Sequence, residues 1–140
     1  FDTATIQNCT DNNLVFKIND KELLLLSIPE SSFLNEETPD GSPRIINVGT
    51  TNQIIYRLYS GNVSSATICS TLPPASPVVE KEWNASGGTI EIITDALYDV
   101  DGITINGYTH NIKFKNVNFS NPDNSFSFTE YIFGNYETDL

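Results

Sequence analysis

Methionine is absent from this 140-residue chain, histidine and tryptophan occur once each, cysteine twice, and lysine and arginine together seven times. Each shortage removes a class of function. With a single histidine there is no His-rich metal site, and any Ser-His-Asp or Cys-His centre would have to use His110. No G-x-S-x-G element accompanies it, and His110 falls in or beside a strand-like run, so a structural role is the simpler reading. The seven basic residues face 18 acidic ones, a net charge of −11. Phosphate contacts need basic side chains, which argues against nucleic acid and against an anionic membrane surface as partners. No window reaches the roughly 18 uninterrupted apolar residues that a membrane-spanning helix needs. Neither a basic nor an apolar leader segment opens the chain, so the numbering is expected to start after processing or after a tether.

What is present is a folding domain. Eight Phe, six Tyr and one Trp supply bulky core material. A chain of this length can bury roughly two-thirds of its unfolded surface around one core, so residues 1–140 are read as a single domain. Cys9 and Cys69 lie sixty residues apart beside strand-like sequence, outside any CxxC or His/Cys cluster, which makes zinc a poor fit. A disulfide between them is the preferred reading, with two buried free thiols as the alternative. Loop entropy would make that bond worth about 4 kcal/mol. It would also place the protein in an oxidising compartment.

The rest reads as short strands between turns. LVFKI (Leu14–Ile18) and ELLLLSI (Glu22–Ile28) flank a turn at Asn19-Asp20-Lys21, and Asp11-Asn12-Asn13 is a second turn signal. Glu30 to Gly49 is polar, with at most a short strand near Arg44–Ile46. QIIYRLY (Gln53–Tyr59) is a strand, and Ala66–Ser70 is expected to be the strand carrying Cys69. The three prolines of Leu72–Pro77 exclude a central strand. Val78–Trp83 and Thr89–Thr94 are expected to pair through a hairpin at Asn84–Gly88. Gly102–Phe119 is expected to split at the turn Asn106-Gly107. Val117 and Phe119 are out of phase with Ile112 and Phe114 unless a bulge near Asn116 resets the register. Asn121-Pro122-Asp123-Asn124 turns the chain into Ser125–Phe133, where Phe126 and Phe128 alternate with Ser127 and Thr129. Many short strands and almost no helix predict an all-β fold. The expected form is an antiparallel β-sandwich of the Ig-like or jelly-roll-like kind, with a barrel as the runner-up.

Three groups of residues are candidates for function. Asp95, Asp99 and Asp101 form the densest acidic cluster and carry part of a calcium-loop pattern, without the further ligands of a complete one. An ordinary acidic loop explains them more simply. Tyr56, Tyr59, Trp83, Tyr98, Tyr108, Tyr131 and Tyr136 could form a surface for stacking a glycan or contacting a protein, although most aromatics of a β-sandwich belong to its core. The segment from Asn116 onward holds four acids and no Lys or Arg, which suits contact with a partner. Glu80 and Glu82, at i and i+2, share one strand face, so solvent exposure explains them better than glycosidase chemistry.

FDTATIQNC (Phe1–Cys9), LVFKIN (Leu14–Asn19) with its Leu-rich successor, and CSTLPPASPVVEKEW (Cys69–Trp83) together resemble cell-surface lipoproteins of flavobacterial-type Bacteroidota. The resemblance implies an outer-membrane, extracellular-side location and a lipid anchor upstream of residue 1. It implies no particular activity. Asp2-Thr3-Ala4 is similar to the O-glycosylation site of that phylum, which would make Thr3 an acceptor. The expected function is therefore a non-enzymatic interaction module, an accessory subunit of an outer-membrane protein complex. The alternative is a glycan-binding module, helped by calcium at Asp95–Asp101.

Overall fold

In a computed structural model that describes residues 5–9, 14–29, 33, 36–39, 42–69 and 77–139, the turn signals end most strands where the sequence places them. β1 (Gln7–Asn8), β2 (Leu14–Asn19) and β3 (Glu22–Ser27) form an antiparallel run. Asp20, at φ 54°, makes the tight turn between β2 and β3, a conformation that Asp tolerates better than most residues. β4 (Arg44–Asn47), β5 (Gln53–Tyr59), β6 (Val79–Tyr98), β7 (Ile105–Ser120) and β8 (Ser125–Asp139) follow, with the short helix α1 (Ser65–Cys69) between β5 and β6. The sheet order is β1-β2-β3-β5-β6-β7-β8, and β4 pairs with β6 on the edge that β5 leaves free. The fold is all-β and antiparallel, a single sheet curled into a sandwich-like half-barrel.

Three sequence expectations are corrected. Asn84–Gly88 is no hairpin: β6 runs through it as one bulged strand. Its first half pairs with β5 and its second with β4, and the handover falls at Gly87 and Gly88. Asn106-Gly107 is likewise inside β7, with Gly107 paired to both Leu97 and Asp139. The chain turns earlier, at 99–104, because the Asp101 carboxylate accepts the amides of Ile103 and Thr104 and the Thr104 hydroxyl. In the run Ala66–Ser70, expected to be a strand, the described residues are helical: Ser64 O accepts the amides of Thr67 and Ile68, winding Ser65–Cys69 into one helical turn. The bulge expected near Asn116 is present, with Asn116 at φ 53° opposite Gly88 at φ 107°.

The sheet buries both faces of its first strands. On the inner face Val15, Leu24, Leu26 and Ile54 meet Ile90, Ile92, Ile112, Phe114, Val117, Phe119 and Phe133 from the other half of the curl. On the outer face Phe16, Leu23, Leu25 and Tyr59 pack with Cys9 and Val63, alongside Ile68 and Cys69 of α1. The unbroken leucines of β3 follow from this: a strand covered on two sides needs no polar alternation. Cys9 and Cys69 form the expected disulfide, at a Cα–Cα distance of 5.4 Å. The two edges of the curl approach through side chains, Lys17 to Tyr131 and Ile6 to Gly134.

The turn at Asp11–Asn13, the residues Phe1–Ala4 with the acceptor Thr3, and the proline run before Pro77 lie outside the described residues.

Candidate functional site

The two ends of the half-barrel differ in chemistry. One end is filled. His110 is wholly buried between the hydroxyls of Thr94 (Nδ1, 2.7 Å) and Thr138 (Nε2, 2.9 Å). Phe33 stands edge-on to His110 and Tyr136, with centroids 5.4 and 5.0 Å away. Arg44 reaches in, donating from Nη1 to Thr94 Oγ1 at 2.7 Å and from Nη2 to Glu36 O at 2.5 Å. The Thr94 oxygen also receives Arg44, and each hydroxyl can donate or accept, so the neutral ring donates one of its two bonds and accepts the other. Burial, and then the Arg44 charge, hold the His110 pKa down at about 4. The imidazole is neutral and its two nitrogens are engaged, so it serves structure.

The opposite end is open and aromatic. Tyr56 of β5 and Trp83 of β6 are paired directly across the ladder, with ring centroids 5.3 Å apart at 56°. Phe126 of β8 closes on both, 6.0 Å from Tyr56 at 87° and 5.9 Å from Trp83 at 62°. Phe119 of β7 stacks beneath Phe126 at 5.1 Å and 16°. Phe128 and Tyr131 continue the wall along β8, 5.6 Å apart. With Glu22 and Leu24 of β3, these side chains line a pocket of about 360 Å³. The size falls within the range of small-ligand and side-chain sites, and the mouth of a β-barrel is a common place for one.

Hydrogen bonds brace the walls from outside. Asn121 accepts the amides of Asp123 and Asn124 on its side chain, which folds the β7–β8 turn. Asn124 Oδ1 then accepts the indole N–H of Trp83 at 2.7 Å. The Tyr56 hydroxyl donates to the Glu22 carboxylate in a short hydrogen bond. Burial, and then this bond, raise the Tyr56 pKa far above the phenol value, so the hydroxyl keeps its proton. Behind Tyr131, Lys17 is 3% exposed. Its ammonium lies 5.6 Å from the ring centres of both Tyr131 and Phe133 and 3.4 Å from the Tyr131 hydroxyl.

The seven candidate aromatics therefore divide. Tyr56, Trp83 and Tyr131 line the pocket, Tyr59 is buried in the outer-face cluster, and Tyr136 belongs to the filled end. Tyr98 is 53% exposed at the end of β6, with its hydroxyl on Glu37, and Tyr108 lies half-buried in β7. They are not one surface. The acids do not converge either. Asp95 is on β6 opposite Thr109, Asp99 accepts the Val100 amide, and both oxygens of Asp101 serve its own turn. Those hydrogen bonds hold the Asp101 carboxyl below its usual pKa. Among the described residues no three His, Cys, Asp or Glu side chains come together as a metal site. Glu82 is taken by Arg57, Nε to Oε1 at 2.5 Å, and Glu80 is exposed.

Sequence reasoning named Tyr56 with Trp83 and Tyr131 but missed Phe126, Phe128, Phe119 and Glu22 as members of the same site. The available signal was the alternation of Phe126 and Phe128 with Ser127 and Thr129, which marks an apolar face at the chain's last strand. Comparison with protein-family models, with curated proteins and with solved structures gives no match to this chain.

Proposed function

We propose that this chain is a non-enzymatic binding module working on the extracellular side of the cell envelope, and that the aromatic pocket is its contact site. The observation that carries this reading is the pocket itself. Six aromatic side chains from four strands converge on one open cavity at the end of a sheet whose other end is filled. Large rigid aromatic groups in a concave site supply contact area at small entropic cost, as in the energetic centres of interfaces. The Cys9–Cys69 disulfide supports an oxidising compartment. Together with the lipoprotein resemblance it favours an accessory subunit of an outer-membrane protein complex, tethered by a lipid upstream of residue 1. The ring angles speak against a glycan as the main ligand: rings at 56°, 62° and 87° make a cage, whereas a sugar chain stacks on a flat platform.

The test is capture from gently solubilised native membranes with the wild-type protein and a Phe126→Ser/Phe128→Ser variant. The expected result is an outer-membrane protein retained in stoichiometric amount by the wild type and lost by the variant. A partner retained equally by both would remove the pocket from the contact, and a clean monomer in both would overturn the subunit reading.

A further inference from the structure

We infer that the pocket is a receptor for an organic ammonium group, with Glu22 as its counter-ion and the rings of Tyr56, Trp83, Phe126 and Phe128 as its cage. This deepens the reading of the pocket as the contact site and rests on it. Among the described residues Glu22 is the one with a formal charge that lines the cavity. Its carboxylate sits in a wall otherwise made of aromatic and aliphatic groups, where a positive charge is the complementary occupant. Aromatic faces attract cations through the ring quadrupole, and the attraction grows when water is excluded. Tyr56 strengthens the arrangement: it donates its hydroxyl to Glu22, which fixes the carboxylate and enriches the ring in electron density. The net charge of −11 draws cations toward the molecule as a whole. The same aromatic wall already holds one ammonium, that of Lys17 against Tyr131 and Phe133. Lys17 does not line the cavity; Glu22 does, with Tyr56 on its Oε1 and the Asn19 side-chain amide 3.5 Å from its Oε2.

An ammonium group reaches such a site either as a free quaternary amine or as a lysine side chain of the partner protein. Both are tested by titration followed through Trp83, whose fluorescence reports on the pocket because no other tryptophan exists. Choline, its neutral isostere 3,3-dimethylbutan-1-ol and the tripeptide Gly-Lys-Gly are compared. The expected result is saturable binding of choline, of the lysine peptide or of both, with the isostere at least about tenfold weaker. Which cation binds more tightly identifies the source. Glu22→Gln should weaken the cation several-fold and leave the isostere unchanged. Phe126→Leu, which keeps an apolar rim without a ring, should also act on the cation selectively; circular dichroism checks the fold of both. Isostere binding equal to that of choline would overturn the ammonium assignment while leaving a binding pocket in place. No binding by any of the three would overturn it too, and capture from membranes would then decide separately whether the pocket contacts a partner.

Discussion

At the scale of single residues, two positions show how local chemistry constrains the sheet. Gly88 sits at φ 107°, and a Cβ there would lie 2.6 Å from Asn116 O and 2.8 Å from Lys115 O. Both are backbone atoms of β7 and cannot swing away. Gly87→Ala meets nothing within 4 Å. Denaturant unfolding should therefore show Gly88→Ala destabilised by at least about 2 kcal/mol and Gly87→Ala nearly neutral; equal effects would refute the bulge geometry. His110 gives a pH dependence. Its folded pKa is about 4 against 6.5 for the free side chain, so between those values the unfolded chain binds the proton that the folded one refuses. The stabilisation is complete above about pH 6.5 and is lost as pH falls through 4, on the order of 3 kcal/mol in total. A His110→Gln variant should show a flatter stability profile between pH 6.5 and 5. The register change at Asn116 was legible in the sequence, because the apolar phase of Ile112 and Phe114 breaks before Val117 and Phe119. The matching role of Gly88 was not. Gly87-Gly88 reads equally as a turn or a bulge until the partner strand is known.

Among the elements, α1 and β1 depend most on a covalent link. A five-residue helix cannot hold itself in water, and none of the residues of α1 is fully buried. Its place over Phe16, Leu23 and Leu25 comes from packing by Ile68 and from the bond between Cys69 and Cys9. Cys9→Ser/Cys69→Ser should cost about 2–4 kcal/mol. Hydrogen exchange should show the loss locally first, with the α1 amides exchanging at least about tenfold faster while those of β6 and β7 stay protected. Uniform loosening of the whole sheet would contradict this. The strands β2, β3 and β5 were readable because each is bounded by local turn chemistry, as was the start of β8 after Asn121–Asn124, although β8 runs on past the expected Phe133 to Asp139. The lengths of β6 and β7 were not. Glycine and asparagine inside them signal turns locally, and long ladders to β4, β5 and β8 override that signal. The aromatic pocket failed to show for a related reason: Tyr56 and Phe126 are seventy residues apart and meet only because β5 and β8 lie on facing sides of the curl.

The whole molecule is a curled sheet whose two edges meet through side chains, and that leaves a free backbone on β8. Among the described strands β8 pairs with β7 alone, and such an edge is a template for another strand. Near Gly134 the side chain of Ile6 crowds it, whereas Ser125–Glu130 is exposed, with Phe126 and Phe128 each 37% accessible. Along that stretch alternate amides bond to β7 and the others point away from it. Hydrogen exchange of the isolated protein should therefore alternate from residue to residue between Ser125 and Glu130, while Thr89–Ile92 of β6 and Gly107–Lys115 of β7, paired on both sides, exchange slowly. The partner-bound protein discriminates two ways of binding. If the pocket takes a side chain and nothing more, the alternation persists in the complex. If the partner also adds a strand to β8, the fast amides become slow together, because strand addition satisfies each of them by the same ladder. The acids of this terminal segment, Glu130 and Glu137 among them, would then favour a basic partner strand, and raising the salt concentration should weaken that protection before it weakens the pocket contact.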